Sequence, residues 1–324
     1  TCVLIHTGAL QVNAGILQQG QVVALYNYMT QMIVELIKLS SLMITLNKGI
    51  ACASRVSGVL SIVPDMTYGN VDPAEKETGT LSFDHVSACY HTHGTPVVSD
   101  ISFSVKSGQT VGIIGGTGSG KSTLVRLMTR VMDPKSGTIL LNGHPIQDYP
   151  REKLCEIFGT VPQKAVLFSG TIRENMQMGN PEATDEQIGQ ALSFAQATEV
   201  VEGKKDGLDT MIEQGGRNLS GGQKQRLAIA RAIVSNPQIL ILDDSASALD
   251  YATDAKLRKA IATLKNCTVF LISQRISTVR QCDQILVLDH GRIVGTGTHE
   301  NLMKSCLVYQ QINASQSKGG KEQA

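Results

Sequence analysis

The chain has no tryptophan, and aromatic residues make up only 4% of its 324 positions. It also lacks a surplus of either charge. Lys and Arg number 29 against 28 Asp and Glu, leaving a formal net charge of +1. That balance argues against a dedicated nucleic-acid binder, which gathers phosphates with a basic face. The seven cysteines form no C-x-x-C and no Cys/His cluster at zinc spacing. An odd, unpatterned set excludes a disulfide framework and points to reduced thiols in a cytosolic compartment. No repeat is sustained and the glycines are irregularly spaced, which excludes collagen-like and heptad-only chains. The N-terminus starts at Thr1 without the charged and apolar regions of a secretory signal. Only one stretch is apolar and long enough to span a bilayer, so a polytopic bundle is excluded for this stretch of chain. What is present is 42% hydrophobic residues, enough to build a core and exclude disorder. The length is that of roughly two domains.

Three sections and a tail follow from the residue distribution. Residues 1–62 hold only Glu35 and Lys38 as charged residues before Lys48. Within them, residues 22–46 (VVALYNYMTQMIVELIKLSSLMITL) predict a bilayer-length helix. Asn27, Gln31, Glu35 and Lys38 fall on one stripe of it. That stripe suits either a soluble amphipathic helix or a membrane helix facing a water-filled path or partner helices. Residues 63–79, rich in Pro, Gly, Asp and Glu, read as a linker. Residues 80–312 alternate β-rich runs (81–86, 97–105, 110–114, 239–242, 268–272, 284–288) with helical stretches. This pattern predicts an α/β domain with a largely parallel sheet. Residues 313–324 (NASQSKGGKEQA) read as a polar, frayed tail.

The run at 111–114 leads into Gly115, Gly116, Thr117, Gly118, Ser119, Gly120, Lys121, Ser122 and Thr123. This satisfies G-x-x-x-x-G-K-[ST] in its required place, between a buried strand and a helix. Glycines let the backbone wrap phosphates, and the amides at a helix start favour anions. Lys121 is therefore expected to reach the β- and γ-phosphates of a nucleotide and Ser122 to ligate Mg2+. Further along, Ile239, Leu240, Ile241 and Leu242 precede Asp243 and Asp244. A buried parallel strand ending in acids puts them at the sheet's C-terminal edge, where α/β folds bind ligands. Asp243 is the expected Mg2+-associated acid.

Between these motifs stand Leu219, Ser220, Gly221, Gly222 and Gln223, a second anion-friendly helix start. With LSGGQ between the phosphate loop and the acidic strand, the chain from about Thr80 to Ile312 resembles the nucleotide-binding domain of ATP-binding-cassette (ABC) transporters. The resemblance implies a P-loop NTPase fold with a parallel core sheet, an antiparallel β subdomain and a helical signature subdomain. It implies ATP and Mg2+ as ligands. It also implies a head-to-tail pair in which one subunit's phosphate loop and the other's signature motif hold each ATP. Tyr90 then matches the ring that stacks on adenine. Gln163 matches the glutamine that senses Mg2+ and faces the membrane domain. Ser247, Ala248, Leu249 and Asp250 match the loop that crosses the dimer interface, Asp250 doubling as a helix cap. The N-terminal section resembles the last transmembrane helix of a type-IV exporter half, with a helical lead-out at residues 51–59. This places the protein in the cell membrane, multi-pass when complete, with its nucleotide-binding domain cytoplasmic. About six such helices are expected in an exporter half, so the chain is expected to be the C-terminal portion of a longer protein.

Two residues depart from the family pattern. Asp244 stands where the family places a Glu as general base, and one methylene less withdraws the carboxylate by about 1 Å, a misplacement able to cost about 10²-fold in rate. Gln274, in Leu271-Ile272-Ser273-Gln274-Arg275, stands where a switch histidine is expected. Gln can hydrogen-bond to a γ-phosphate but cannot take up a proton. Together they resemble the degenerate subunit of a heterodimeric exporter. Such a subunit holds ATP at its own slow site and lends its intact signature to a competent partner half-transporter. An ATP-binding regulatory subunit and a homodimer using Asp244 as a weak base are the alternatives. Besides the partner half and ATP, membrane lipid is an expected contact and nucleic acid is not.

Overall fold

A computed structural model describes residues 2–63, 66–71, 79–90, 94–245, 248–264 and 266–319. The chain divides into two units, residues 1–65 and 66–324.

In the first unit, the expected span lies inside one uninterrupted helix, Gln19–Leu60, of 42 residues. The expected lead-out is therefore no separate helix. No proline occurs from Gln19 to Leu60, and the first proline of the chain, Pro64, follows the helix end at Ser61. At about 1.5 Å per residue the helix is about 63 Å long, roughly twice a bilayer's hydrocarbon core. It is the one helix among the described residues long and apolar enough to cross a membrane. On its polar stripe Lys38 Nζ donates to Glu35 Oε1 at 2.8 Å, so the two charges partly offset each other. A shorter helix, Cys2–Asn13, precedes it. Sequence reading missed this element because Gly, Thr and Gln dilute its apolar pattern. It crosses close to the long helix at Gly8, where an added Cβ would stand 2.6 Å from Val22 Cγ1.

The second unit is built on a six-stranded sheet. Its order is Arg292–Gly297, Gln284–Asp289, Thr110–Ile114, Thr268–Ser273, Ile239–Asp243, Phe158–Val161. All pairings are parallel except at the Arg292–Gly297 edge. Side chains alternate between two buried clusters. Ile114, Leu240, Leu242, Val269 and Leu271 enter one, and Ile113, Ile239, Ile241, Phe270 and Ile272 the other. Successive residues of a strand point to opposite faces, and helices or a second sheet cover both. The β-branched and aliphatic runs are therefore continuous rather than alternating with polar residues. An antiparallel sheet, Val98–Val105, Leu81–Ala88, Ser136–Leu141 and His144–Pro145, forms a second layer. Helices Asp185–Phe194 and Gly221–Val234 pack together in the helical part. The mixed architecture anticipated from the sequence is present.

Two segment assignments change. The tail is not frayed from Asn313, because helix Leu307–Gly319 runs through it. That helix is anchored by Tyr309, fully buried, whose hydroxyl lies 2.9 Å from His299 Nδ1. The stretch 63–79 is not uniformly a free linker either. Residues 64, 65 and 72–78 lie outside the described residues, but residues 66–71 belong to the second unit and pack against its body. Gly69 N donates to Gln147 O and Val71 N to Asp148 O. The anchor is Arg130, 3% exposed. Its guanidinium donates to Thr67 O, Gln147 O and Asp133 Oδ1 and stacks 4.5 Å over the Tyr68 ring. A planar fork with five donors suits this convergence of acceptors where lysine would not. At Gly69 an added Cβ would lie 2.2 Å from Asp148 O, so only glycine permits this approach.

Gly69→Val is expected to undock residues 66–71 while leaving the buried sheet intact. Limited proteolysis should cut that segment faster than in the wild type with the urea midpoint nearly unchanged. Equal cutting rates would show that the Arg130 contacts do not hold the segment.

Candidate nucleotide site

Strand register brings distant motifs to one edge. Ile272 pairs with Asp243, Ser273 with Ile114, and Val161 with Leu242. The chain therefore leaves the sheet side by side at Gly115, Gln163, Asp244 and Gln274. These positions span most of the domain's sequence, yet each lies just past the end of a buried strand.

The loop after Ile114 turns on glycines. Gly118 and Gly120 have φ of +78° and +103°, values at which a side chain is strained. Gly115 meets Leu288 O at 2.3 Å from any added Cβ, whereas nothing lies within 4 Å of Gly116. Thr117 sits with them on the loop. Helix Lys121–Met128 starts at Gly120, so its first amides are aimed at the loop's cavity and favour an anion there. Lys121 Nζ donates to Gly115 O at 2.8 Å, Gly116 O at 2.7 Å and Ser119 Oγ at 3.4 Å. Burial pulls the Lys121 ammonium below its ordinary pKa, against the opposing pull of Asp243 and Asp244. Asp243 is pushed up by burial and by Asp244, with Lys121 opposing. Ser119 and Thr123 are buried, and Ser122 is exposed at the helix start.

Asp244 has φ +45°, a conformation Asp tolerates better than most residues. Its amide donates to Ile272 O at 2.7 Å. Its carboxylate takes a hydrogen bond from Gln163 Nε2 at 3.2 Å and a long one from Ser273 Oγ at 3.4 Å. With the amide nitrogen so used, Gln163 keeps its carbonyl oxygen as an acceptor. The oxygens of Ser122, Gln163 and Asp243 are hard donors of the kind Mg2+ prefers. No group of three or more His, Cys, Asp or Glu suited to a metal exists among the described residues. The donor set thus fits an ion held by a few protein oxygens and a substrate's phosphates, not an all-protein cage.

Tyr90 lies just past strand Leu81–Ala88 rather than within it, and the residue is 49% exposed. Its hydroxyl is 2.9 Å from Thr123 Oγ1, and the Arg126 guanidinium stands 5.4 Å from its ring centroid. Sequence reading singled out Tyr90 but not Arg126, which tethers it. Gln274 is exposed. Its backbone carbonyl accepts from Gln316 Nε2 at 2.7 Å, and Gln316 Oε1 accepts from Ile276 N at 2.9 Å. No local pattern announces this clasp, which joins residues 42 apart in sequence.

Ser220 caps helix Gly221–Val234 reciprocally with Gln223. Gln223 N donates to Ser220 Oγ at 3.2 Å and Ser220 N to Gln223 Oε1 at 2.9 Å. Leu219 is buried, whereas Gly221 at the helix start is exposed and Gly222 half-buried. Among the described residues no hydrogen bond joins this motif to the phosphate loop. Gly222 instead approaches the next motif, with an added Cβ 3.1 Å from Ala248 O. Leu249 packs against the core cluster. Asp250 caps helix Tyr251–Ile261 by accepting from Thr253 N and Thr253 Oγ1. Those bonds hold its carboxyl below the ordinary range. Ser247 lies outside the described residues.

Residues 98–247 match the family described as ABC transporter. Over 322 residues the chain is 39% identical to an uncharacterized ABC transporter ATP-binding protein of Mycobacterium bovis, covering 97% of this chain and 55% of that one. Over 297 residues it is 41% identical to a probable multidrug resistance ABC transporter ATP-binding/permease protein of Bacillus subtilis, covering 91% and 51%. A solved structure of a bacterial Atm1-family ABC exporter with ATP bound superposes with a TM-score of 0.79 at 32% identity. That match covers 93% of this chain and 53% of the other. The chain thus spans about half the length of the relatives it matches.

The Gln316 clasp yields a graded expectation. Gln316→Ala should speed amide exchange at Ile276 about fivefold, the loss of roughly one net hydrogen bond. Gln316→Glu, which can accept but not donate, should keep Ile276 protected. Equal exchange in all three proteins would dismiss the clasp.

Proposed function

Because the second unit contains an ABC transporter ATP-binding domain, we propose that the chain is the ATP-binding part of a membrane exporter half, whose own ATP site is slow and whose signature motif completes a partner's faster site. The observation that carries the slow-site reading is the pairing of Asp244 with Gln274 at the sheet edge, beside intact Lys121, Ser122 and Asp243. Tyr90, steadied by Thr123 and Arg126, offers a ring face to adenine. The amides of Gly116–Thr123 and Lys121 take the phosphates. Lys121 exchanges the loop carbonyls of Gly115 and Gly116 for phosphate oxygens as ATP arrives. Ser122, Asp243 and the Gln163 carbonyl would hold Mg2+, which, when bound, neutralises phosphate charge.

Turnover then asks Asp244 to orient and deprotonate water from a carboxylate set back by about 1 Å. Gln274 offers a hydrogen bond but no proton exchange. Binding is thereby retained while the chemical step is impaired, and a bound ATP acts as a lasting clamp on the closed pair. Ser220–Gln223 present an intact helix-start anion site for the partner's nucleotide, with Ala248–Asp250 beside it. The Gln19–Leu60 helix crosses the membrane, its Asn27, Gln31, Glu35 and Lys38 stripe facing other helices or a water-filled path rather than lipid. A homodimer using Asp244 as a weak base is the second reading, favoured by the hydrogen bonds that hold that carboxylate at the edge.

The two readings separate in the assembled transporter. Ser220→Arg should cut ATPase activity by about 100-fold, the scale of losing an oriented anion contact. Asp244→Asn should cut it by less than about twofold. Asp244→Glu with Gln274→His should raise turnover. Equal losses from Ser220→Arg and Asp244→Asn would favour the homodimer and reject the degenerate site.

A further inference from the structure

Behind the strand ends lies a small cavity of about 20 Å³. Its polar lining comes from Asp244, Ser245, Asp254, Arg258, Ser273 and Thr278. Asp254 and Arg258 sit four residues apart on helix Tyr251–Ile261, the helix that Asp250 caps. Arg258 Nη2 pairs with Asp254 Oδ2 at 3.0 Å. Arg258 Nη1 donates to Ser277 O at 2.9 Å, tying the helix to the segment that follows Gln274. Two polar atoms of this pair are buried without a partner, the acceptor Asp254 Oδ1 and the donor Arg258 Nε. A buried polar atom left unbonded is destabilising, and nearly all such atoms find a protein or water partner. Here a donor and an acceptor are orphaned together on residues that line the same cavity, and its volume matches one water molecule.

Ser273, 2% exposed, receives the Arg275 amide at 3.0 Å. Its hydroxyl lies 3.5 Å from Thr278 Oγ1 and 3.4 Å from Asp244 Oδ1. A side-chain hydroxyl has one proton to give. Whatever fixes the hydroxyls around it decides whether that proton points at Asp244. Burial raises the pKa of Asp254, opposed by Arg258 and Arg275, the charged groups that face it together with Asp244 in the cavity lining.

We propose that the cavity holds one ordered water bridging Arg258 Nε to Asp254 Oδ1, and that Asp254 and Arg258 act through it and Ser273 as positioning residues for Asp244. The inference about Asp244 rests on its proposed role at the ATP site. It adds a physical link between the Asp250 loop, next to the signature motif, and the carboxylate of the chain's own site. Pull on the Tyr251–Ile261 helix is transmitted to Ser277 by Arg258 and to Ser273 by the water.

Three measurements on the wild type and on Asp254→Asn test the proposal. A crystal structure resolving ordered water should show one within hydrogen-bond distance of both orphaned atoms, and an empty cavity overturns the bridge. Amide exchange at Asp244 and Ser273 should quicken about tenfold in Asp254→Asn, with the amides of the Gly115–Lys121 loop unchanged. A uniform change across the domain, or none, overturns the positioning role. Hydrolysis at this chain's own ATP site, followed in a single turnover with the partner's site inactivated, should slow about fivefold in kcat with KM unchanged, the signature of an interaction felt at the chemical step. A change in KM alone, or in thermal stability alone, assigns the pair a merely structural part. If wild-type turnover does not exceed that of Lys121→Ala, the proposed ATP-site function fails. The water and the exchange pattern still decide this inference.

Discussion

Burial of the parallel sheet on both faces is the constraint to which the rest of the second unit answers. Strands Thr110–Ile114, Ile239–Asp243 and Thr268–Ser273 spend their interior residues on two apolar clusters, one per face. No polar side chain can work within those layers without being desolvated. Polar chemistry is therefore confined to where strands end. Parallel pairing then forces all the ends of one kind to a single edge. The phosphate loop, Gln163, the Asp243–Asp244 pair and Gln274 meet there because the core leaves them nowhere else to go.

At that edge the charges balance locally. Burial disfavours both the Lys121 ammonium and the Asp243 carboxylate, while their mutual attraction favours them. Asp244 adds a second negative charge that holds Lys121 charged but presses Asp243 toward protonation. A site poised in this way gains from an incoming anion on the loop and a cation between the acids. That is the charge pattern of a nucleotide with Mg2+. The same arrangement gives Asp244 neighbours on both oxygens, Gln163 and Ser273. Its position is specified even though its side chain is one carbon shorter than the glutamate the family pattern calls for.

What the sequence made legible was local. The strand at 110–114 is where the apolar run put it. The positive-φ glycines at 118 and 120 occupy a loop whose spacing already demanded them. Ser220 caps its helix through the residue three positions on, as S-x-x-Q implies. What was not legible depends on partners far along the chain. Arg130 reads as a surface cation at the end of a helix, yet it is buried under Thr67 and Tyr68, more than sixty positions away. Gln316 sits in a polar stretch that looked frayed. That stretch is helical because Tyr309, seven residues earlier, is fully buried. Asp254 and Arg258 look like an ordinary i,i+4 surface pair, and nothing in their spacing reveals the cavity they face. The membrane-length helix and a helical lead-out at residues 51–59 were legible, but not that they form one uninterrupted helix. Its continuation to Leu60 follows from the absence of proline before Pro64, a weaker signal than hydropathy.

The central claim is that this chain keeps ATP at its own site while its signature motif serves another. The most direct measurement is the identity of the nucleotide held on this chain's phosphate loop after many turnovers of the assembled transporter with Mg2+ and ATP. Crosslinking a photoreactive ATP analogue to each subunit and separating the adducts would read it. The account predicts intact triphosphate on this chain and mostly diphosphate on its partner. Diphosphate in equal measure on both would contradict it.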